Sequence, residues 1–368
     1  MTEYKGTKGG AVQNFEENPG NPYVGQVWYN ETTANLRVRA TTLKSAWASG
    51  GDLNTARKRI AGAGADNTAA LGFSGATNDA GNTESTLTES YNGSSWTEVN
   101  DLNTARNSAA GVGATYTAAL CFGGGNPYNT NIANTELWNG TSWTEVNDLN
   151  VAKRNTGPIG TSTSALAAAG GPPATASNES WNGTSWTEVA DLNTARGQLA
   201  AAGADNTSGI AFGGTDVPNT CEAWNGTAWA QVNVLNTQRD NFTGTGTQPA
   251  ALALGGRTTP GAVTAVTESW NGLSWTEVND LNVARSEICS STLGSTSALA
   301  FGGASPPLSS ATEEWNADFA YGVWVTGGSM NQARGQLAGA GTQTAALGFG
   351  GYFAYPAFSA LTESYNGT

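Results

Sequence analysis

Carboxylates and basic side chains recurring in step are the feature of this chain that most invites a chemical reading. Seven glutamates, Glu89, Glu136, Glu179, Glu222, Glu268, Glu313 and Glu363, follow seven basic residues, Arg57, Arg106, Lys153, Arg196, Arg239, Arg285 and Arg334. Two carboxylates held some 5–10 Å apart can hydrolyse a glycosidic bond. A catalytic pair, however, is unique to one place, whereas these glutamates occur once per repeating unit. Structural pairing of Glu with Arg or Lys, across one unit or between neighbours, is therefore expected, with a ring that binds an anion as the alternative. The chain has no histidine, which removes His-dependent nucleophile triads. Cys121, Cys221 and Cys289 form no C-x-x-C pair and read as small buried hydrophobes with reduced thiols. No catalysis, no metal and no cofactor are expected.

The elements that would position these residues belong to a repeat. Its fullest form runs LNTARNSAAGVGATYTAALCFGGG from Leu102, then a variable stretch, then TELWNGTSWTEVND. Aligned on the basic residue, successive copies are 49, 47, 43, 43, 46 and 49 residues apart. Each copy reads as four short strands, in the second copy Ser108 to Ala114, Thr117 to Phe122, Thr135 to Trp138 and Ser142 to Val146. Asn-Gly pairs at Asn92, Asn139, Asn182, Asn225, Asn271 and Asn366 mark tight hairpins between the third and fourth strands. The first strands are nearly all Ala and Gly, and the outer hairpin carries paired aromatics. That gradient fills a wedge that narrows toward a central axis.

The Gly doublets (Gly123-Gly124, Gly170-Gly171, Gly213-Gly214, Gly255-Gly256, Gly302-Gly303, Gly350-Gly351), the downstream aromatic, the later Trp and the Arg after it resemble the kelch motif. The first copy departs from it with Ser74-Gly75, and Trp replaces the usual third-strand Tyr at 138, 181, 224, 270 and 315. The period fits kelch, and the G-H and W-D signatures of WD repeats cannot be met without histidine. The resemblance implies an all-β, seven-bladed kelch-like β-propeller over residues 44–368, preceded by an N-terminal extension at 1–43. Within that superfamily, the galactose-oxidase-like copper site needs a histidine, so it cannot be built here in the family's form.

The ends suggest how such a ring would close. The seventh copy stops at T-E-S-Y-N-G-T, without a fourth strand, while Ser45-Ala46-Trp47 precedes the first copy in fourth-strand register. The expectation is that Trp47 closes the ring by completing the last blade. Upstream, Gly25, Gln26, Trp28, Tyr29, Asn30, Thr32, Thr33, Leu36 and Val38 resemble a hairpin module found in structural and tail-fibre proteins of tailed phages. This resemblance implies a non-enzymatic virion protein, exposed on the particle and made in the host cytoplasm. Residues 1–43 would dock to other virion proteins, and variable loops would meet a host-surface glycan or protein. A purely structural virion component, such as a capsid decoration or tail spacer, is the alternative, and a cellular kelch scaffold a weaker one. Oligomer formation in the particle is compatible with each.

Loops between the second and third strands differ most among copies, and variable loops on a rigid frame are where recognition is grafted. Tyr128 and the cluster Tyr352, Phe353, Tyr355 and Phe358 are the candidate binding residues, with loop packing or subunit contact as the competing role. An insertion at Ala317 to Val323 also sets the sixth copy apart and carries Phe319 and Tyr321, expected on the opposite face. The net charge of −13, with no basic run, argues against nucleic acid, whose phosphates require clustered cations. No apolar stretch approaches the roughly 20 residues of a membrane helix. The N-terminus lacks the hydrophobic segment of a secretory signal, so the N-G-T and N-G-S sequons read as turns.

Overall fold

The computed structural model describes residues 13–15, 27–30, 35–80, 83–126, 130–258, 261–304, 307–326, 338–342, 345–349, 352–354, 357–358 and 362–365; outside 46–317 only their backbone is described. These residues are all-β, and none of them is helical. The arrangement is a set of small antiparallel sheets, consistent with a propeller-like fold. The chain divides into two compact units, Ser45–Asp318 and Met1–Lys44 with Phe319–Thr368.

In the first unit each copy makes one sheet with its strands in sequence order. The first copy uses Ala61–Ala63, Ala70–Phe73, Thr88–Tyr91 and Trp96–Val99. The second uses Ala110–Thr115, Ala118–Phe122, Thr135–Trp138 and Trp143–Glu145. The third, fourth and fifth repeat the pattern, ending in Trp186–Val189, Trp229–Val232 and Trp275–Glu277. The Asn-Gly hairpin differs from the tight turn expected. Trp138 pairs with Trp143, which leaves a four-residue loop, 139–142. Only its glycine takes a positive φ, 92° at Gly140. Asn139 instead accepts hydrogen bonds through Oδ1 from the amides of Thr141 and Ser142, both at 2.9 Å. An Asn side chain replaces a backbone turn in this way because its short acceptor reaches the amides two and three residues ahead.

Neighbouring copies are joined by a repeated contact. The second-strand Phe of one copy meets the fourth-strand Trp of the next: Phe73 with Trp143, Phe122 with Trp186 and Phe212 with Trp275, each with ring centroids 4.8 Å apart. Phe301 of the sixth copy meets Trp96 of the first at the same 4.8 Å. The hydrogen bond from Trp Nε1 to a third-strand Thr Oγ1 repeats likewise, Trp143 to Thr88 at 3.1 Å and Trp96 to Thr312 at 2.9 Å.

First strands approach closely enough that side chains beyond Ala do not fit everywhere. A Cβ on Gly111 would lie 2.7 Å from the carbonyl oxygen of Gly62 and 2.7 Å from the Phe73 ring. Gly111→Ala is accordingly expected to destabilise the protein by about 1–3 kcal/mol through overpacking. Chemical denaturation measures this, and an unchanged midpoint would show that the two strands are farther apart than described.

The sixth copy corrects the expectation for Trp47. Its strands are Cys289–Ser290, Ser297–Phe301 and Thr312–Thr326, and the fourth position is taken by Asn35–Ser49. Trp47 is buried against Trp315, ring centroids 5.2 Å apart, and packs with Leu252, Leu254, Leu281 and Ile288. Gly50 N donates to Thr312 O at 2.8 Å. Trp47 therefore completes the sheet of the sixth copy, not the seventh. The reason lies in the sixth copy's missing turn. Where the others have Asn-Gly it has Asn316-Ala317, so the third strand runs straight on to Thr326. Its outer edge is left for another strand, and backbone edges accept any strand of matching register.

In the second unit, Ala338–Thr342, Ala345–Phe349 and Thr362–Tyr365 of the seventh copy form a three-stranded sheet. Val27–Asn30 pairs antiparallel with the start of Asn35–Ser49, Val27 opposite Val38 and Tyr29 opposite Leu36, and parallel with Gln13–Phe15.

Candidate functional site

The recurrent acidic and basic residues meet inside each copy. Arg57 Nη2 donates to Glu89 Oε1 at 2.8 Å, Arg239 Nη2 to Glu268 at 2.8 Å and Arg285 Nη2 to Glu313 at 2.8 Å. Arg196 reaches Glu222 at 3.2 Å, Lys153 reaches Glu179 at 3.3 Å, and Arg106 pairs with Glu136. All twelve side chains are at most 3% exposed. Arg334 lies outside the described residues, and of Glu363 only the backbone is described, on the strand Thr362–Tyr365.

Local sequence explains why these pairs form. The L-N-x-x-R loop enters each sheet beside its third strand. Its asparagine caps the glutamate: Asn236 N and Nδ2 donate to Glu268 Oε2 at 2.8 and 2.9 Å, and Thr237 N to Oε1 at 3.1 Å. Asn54, Asn103, Asn150, Asn193 and Asn282 make the equivalent backbone bond. The basic side chain also donates to main-chain carbonyls, Arg57 to Ser74 and Leu87 at 2.9 and 2.7 Å. Burial pulls Arg57, Lys153, Arg196, Arg239 and Arg285 below their ordinary pKa, with the partner glutamate opposing. With its oxygens engaged by Arg or Lys and by amides, each of these six glutamates is a clamp between loop and sheet. The capping role of these asparagines is not apparent from the sequence, although L-N precedes the basic residue at the same spacing in six copies and Met330-Asn331 does so in the seventh.

Two residues beyond each aligned basic residue lies a second ring of positions. Arg59, Ser108, Asn155, Gln198, Asn241 and Glu287 line the mouth of a half-open cavity of about 110 Å³, whose floor is built from first-strand Ala and Gly. All six have positive φ, 55°, 52°, 51°, 54°, 52° and 55°. Amides and carbonyls of these residues join successive copies: Ser108 N to Arg59 O, Asn155 N to Ser108 O, Asn241 N to Gln198 O, Glu287 N to Asn241 O and Arg59 N to Glu287 O, at 2.8–3.2 Å. Glu287 is surrounded by Lys58 at 3.1 Å, Arg59 at 3.1 Å and Arg257 at 3.4 Å. Burial alone would raise its pKa. The charges and hydrogen bonds of Arg59 and Lys58 outweigh that and hold the carboxyl below its ordinary value.

Tyr128 and Tyr355 lie outside the described residues, and of Tyr352, Phe353 and Phe358 only the backbone is described, in the pair Tyr352–Ala354 and Ala357–Phe358. Phe319 and Tyr321 are likewise described only as backbone of Thr312–Thr326. The three cysteines are buried and unpaired with one another, and burial pushes their thiols up to about 12. Among the described residues no cluster of His, Cys, Asp or Glu could hold a metal, and no helix is long and apolar enough to cross a membrane. No family model matches the chain, and no curated protein matches it in sequence.

Proposed function

We propose that this chain is a non-enzymatic virion protein of a tailed phage that presents a rigid propeller for recognition of a host-surface glycan or protein. The observation that carries this reading is the N-terminal module. Its phage-like motif coincides with an antiparallel hairpin, Val27–Asn30 against the start of Asn35–Ser49, in which Val27 faces Val38 and Tyr29 faces Leu36. Residues 1–43 would join the chain to other virion proteins. A display role is supported by burial of the six recurrent glutamates whose side chains are described, which leaves them as structural clamps unsuited to hydrolysis.

For the propeller itself we propose six blades in the ring, from the copies at Arg57 through Arg285, with the strand bearing Trp47 completing the sixth. The contact of Phe301 with Trp96 supports return of the sixth copy to the first. Closure of this kind protects sheet edges from pairing with other chains.

The test is to raise antibodies to the purified chain and apply them to phage particles. Binding to intact particles with block of adsorption is the expected result. Presence in particles without accessibility or effect on adsorption would favour a structural spacer instead. Absence from purified particles would refute the virion assignment.

A further inference from the structure

In the first five copies the aromatic of the third strand and the Trp of the fourth are joined by a loop of four residues. In the sixth copy Trp315 meets Trp47, which lies at the other end of the repeat array. Bringing distant segments together costs more chain entropy than closing a short loop. This edge therefore needs contacts that the others do not, and two positions of the repeat supply them.

The first position lies between the clamp glutamate and the third-strand aromatic. It holds Ser90, Leu137, Ser180, Ala223 and Ser269 in the first five copies and Glu314 in the sixth. The aromatic after it is Trp in the second to sixth copies, and its indole Nε1 donates to a carbonyl of the same copy, as Trp138 does to Tyr116 at 3.1 Å and Trp270 to Gln248 at 2.9 Å. In the first copy it is Tyr91, whose hydroxyl donates instead to Glu314 Oε1 of the sixth copy at 2.6 Å. Burial and the hydrogen bond with Glu314 push the Tyr91 hydroxyl up to about 12, so it remains a donor at neutral pH. The closing segment runs directly against this bond. A Cβ on Gly50 would lie 2.7 Å from the Tyr91 hydroxyl and 3.2 Å from Glu314 Oε1. The second position is the cavity mouth. It is neutral in the second to fifth copies, Ser108, Asn155, Gln198 and Asn241, and charged in the first and sixth, Arg59 and Glu287. Arg59 meets Glu287 at 3.1 Å, and Lys58, also of the first copy, reaches the same carboxylate at 3.1 Å. Arg257 of the fifth copy adds a contact at 3.4 Å.

We propose that Tyr91 with Glu314, and Arg59 with Glu287, form a latch that selects the sixth copy as the neighbour of the first and keeps the Trp47 segment in the sixth sheet. This rests on the six-copy ring proposed above and names the side chains that select it. Departures from the repeat at two separate positions, one in the outer part of the sheet and one at the cavity mouth, fall on the same junction and are complementary there. Hydrogen bonds to a charged group are roughly twice as strong as neutral ones. A different copy beside the first would offer Ser, Leu or Ala in place of Glu314 and a neutral side chain in place of Glu287. Tyr91, 1% exposed, would then lose its acceptor while remaining buried, and an unpaired buried donor penalises the wrong arrangement.

The experiment is amide hydrogen exchange of the full chain, read at Leu53 and at the equivalent leucines. Leu53 N donates to Ser310 O at 2.8 Å, beside the closure, while Leu149 N donates to Ala133 O and Leu192 N to Ala176 O at 3.1 and 3.0 Å, away from it. Leu53 should be protected in the parent. Three variants then test the latch: Tyr91→Phe, Glu314→Ser, and Arg59→Asn combined with Glu287→Asn. Ser is already present at the Glu314 position of other copies. Asn tolerates the left-handed backbone of the mouth, as Asn155 and Asn241 do with φ of 51° and 52°. Each variant should speed exchange at Leu53 about tenfold, while Leu149 and Leu192 stay within about twofold of the parent, because the opening is local. If Leu53 is protected in the parent but indifferent to all three variants, or if all three leucines accelerate alike, the latch is overturned and the six-copy ring stands. If Leu53 in the parent exchanges as fast as an unfolded chain, closure at the sixth copy is refuted, and the latch with it.

Discussion

Replacing Arg239 with alanine should lower the stability of the protein by about 3–5 kcal/mol, the usual consequence of stranding one member of a buried ion pair. Arg239 and Glu268 are both 0% exposed. Arg239 is also a hydrogen-bond donor to the carbonyls of Gly255 and Val266, so its loss leaves a carboxylate and two main-chain acceptors without that partner. Asn236 and Thr237 would still bind Glu268, but neutral amides do not compensate a desolvated charge. The double substitution Arg239→Met with Glu268→Leu should cost less than Arg239→Ala alone, because it removes the buried charge as well as the pair. Denaturant titrations of the two variants and the parent give the comparison. A loss below about 1 kcal/mol for Arg239→Ala, the range of solvent-exposed pairs, would mean that water reaches the clamp.

Trp47→Ala should be comparably severe, about 3–5 kcal/mol for removal of a buried aromatic. Magnitude alone does not say which sheet Trp47 completes; coupling does. Trp47 and Trp315 have ring centroids 5.2 Å apart at an interplanar angle of 47°, the geometry of Trp138 with Trp143 at 5.4 Å and 44°. A double-mutant cycle between Trp47 and Trp315 should return an interaction of about 0.5–1.5 kcal/mol. The same cycle between Trp47 and Tyr365, the equivalent aromatic of the seventh copy, should return none. Coupling to Tyr365 in place of Trp315 would restore the closure suggested by the chain ends and reject completion of the sixth copy's sheet by Trp47.

Much of the clamp is legible in the sequence. One basic residue and one glutamate per copy, 26–32 residues apart from Arg57 through Arg285, implied pairing, and repetition argued against catalysis. The cavity mouth was not legible. Arg59, Ser108, Asn155, Gln198, Asn241 and Glu287 share a position in the repeat, but as six different local sequences they look like ordinary drift. Their common property is a backbone angle, which side-chain identity does not announce when none of them is glycine.

By itself the sequence determined what local chemistry controls. Asn and Gly at one spacing specify the outer hairpins, Ala and Gly runs specify close-packed first strands, and the L-N-x-x-R loop with its glutamate specifies a clamp. Each of these is settled within one copy, by groups fewer than about 50 residues apart in the chain. Tertiary structure decided the two features that depend on how copies meet. Trp47 could satisfy any third strand with a free edge, and it pairs beside Trp315 because the sixth copy, having Asn316-Ala317 in place of Asn-Gly, keeps its own chain running straight to Thr326. Lys58, Arg59 and Arg257 are scattered over 200 residues. They meet around Glu287 because packing brings separate copies together, and electrostatic fields add in space rather than along the chain.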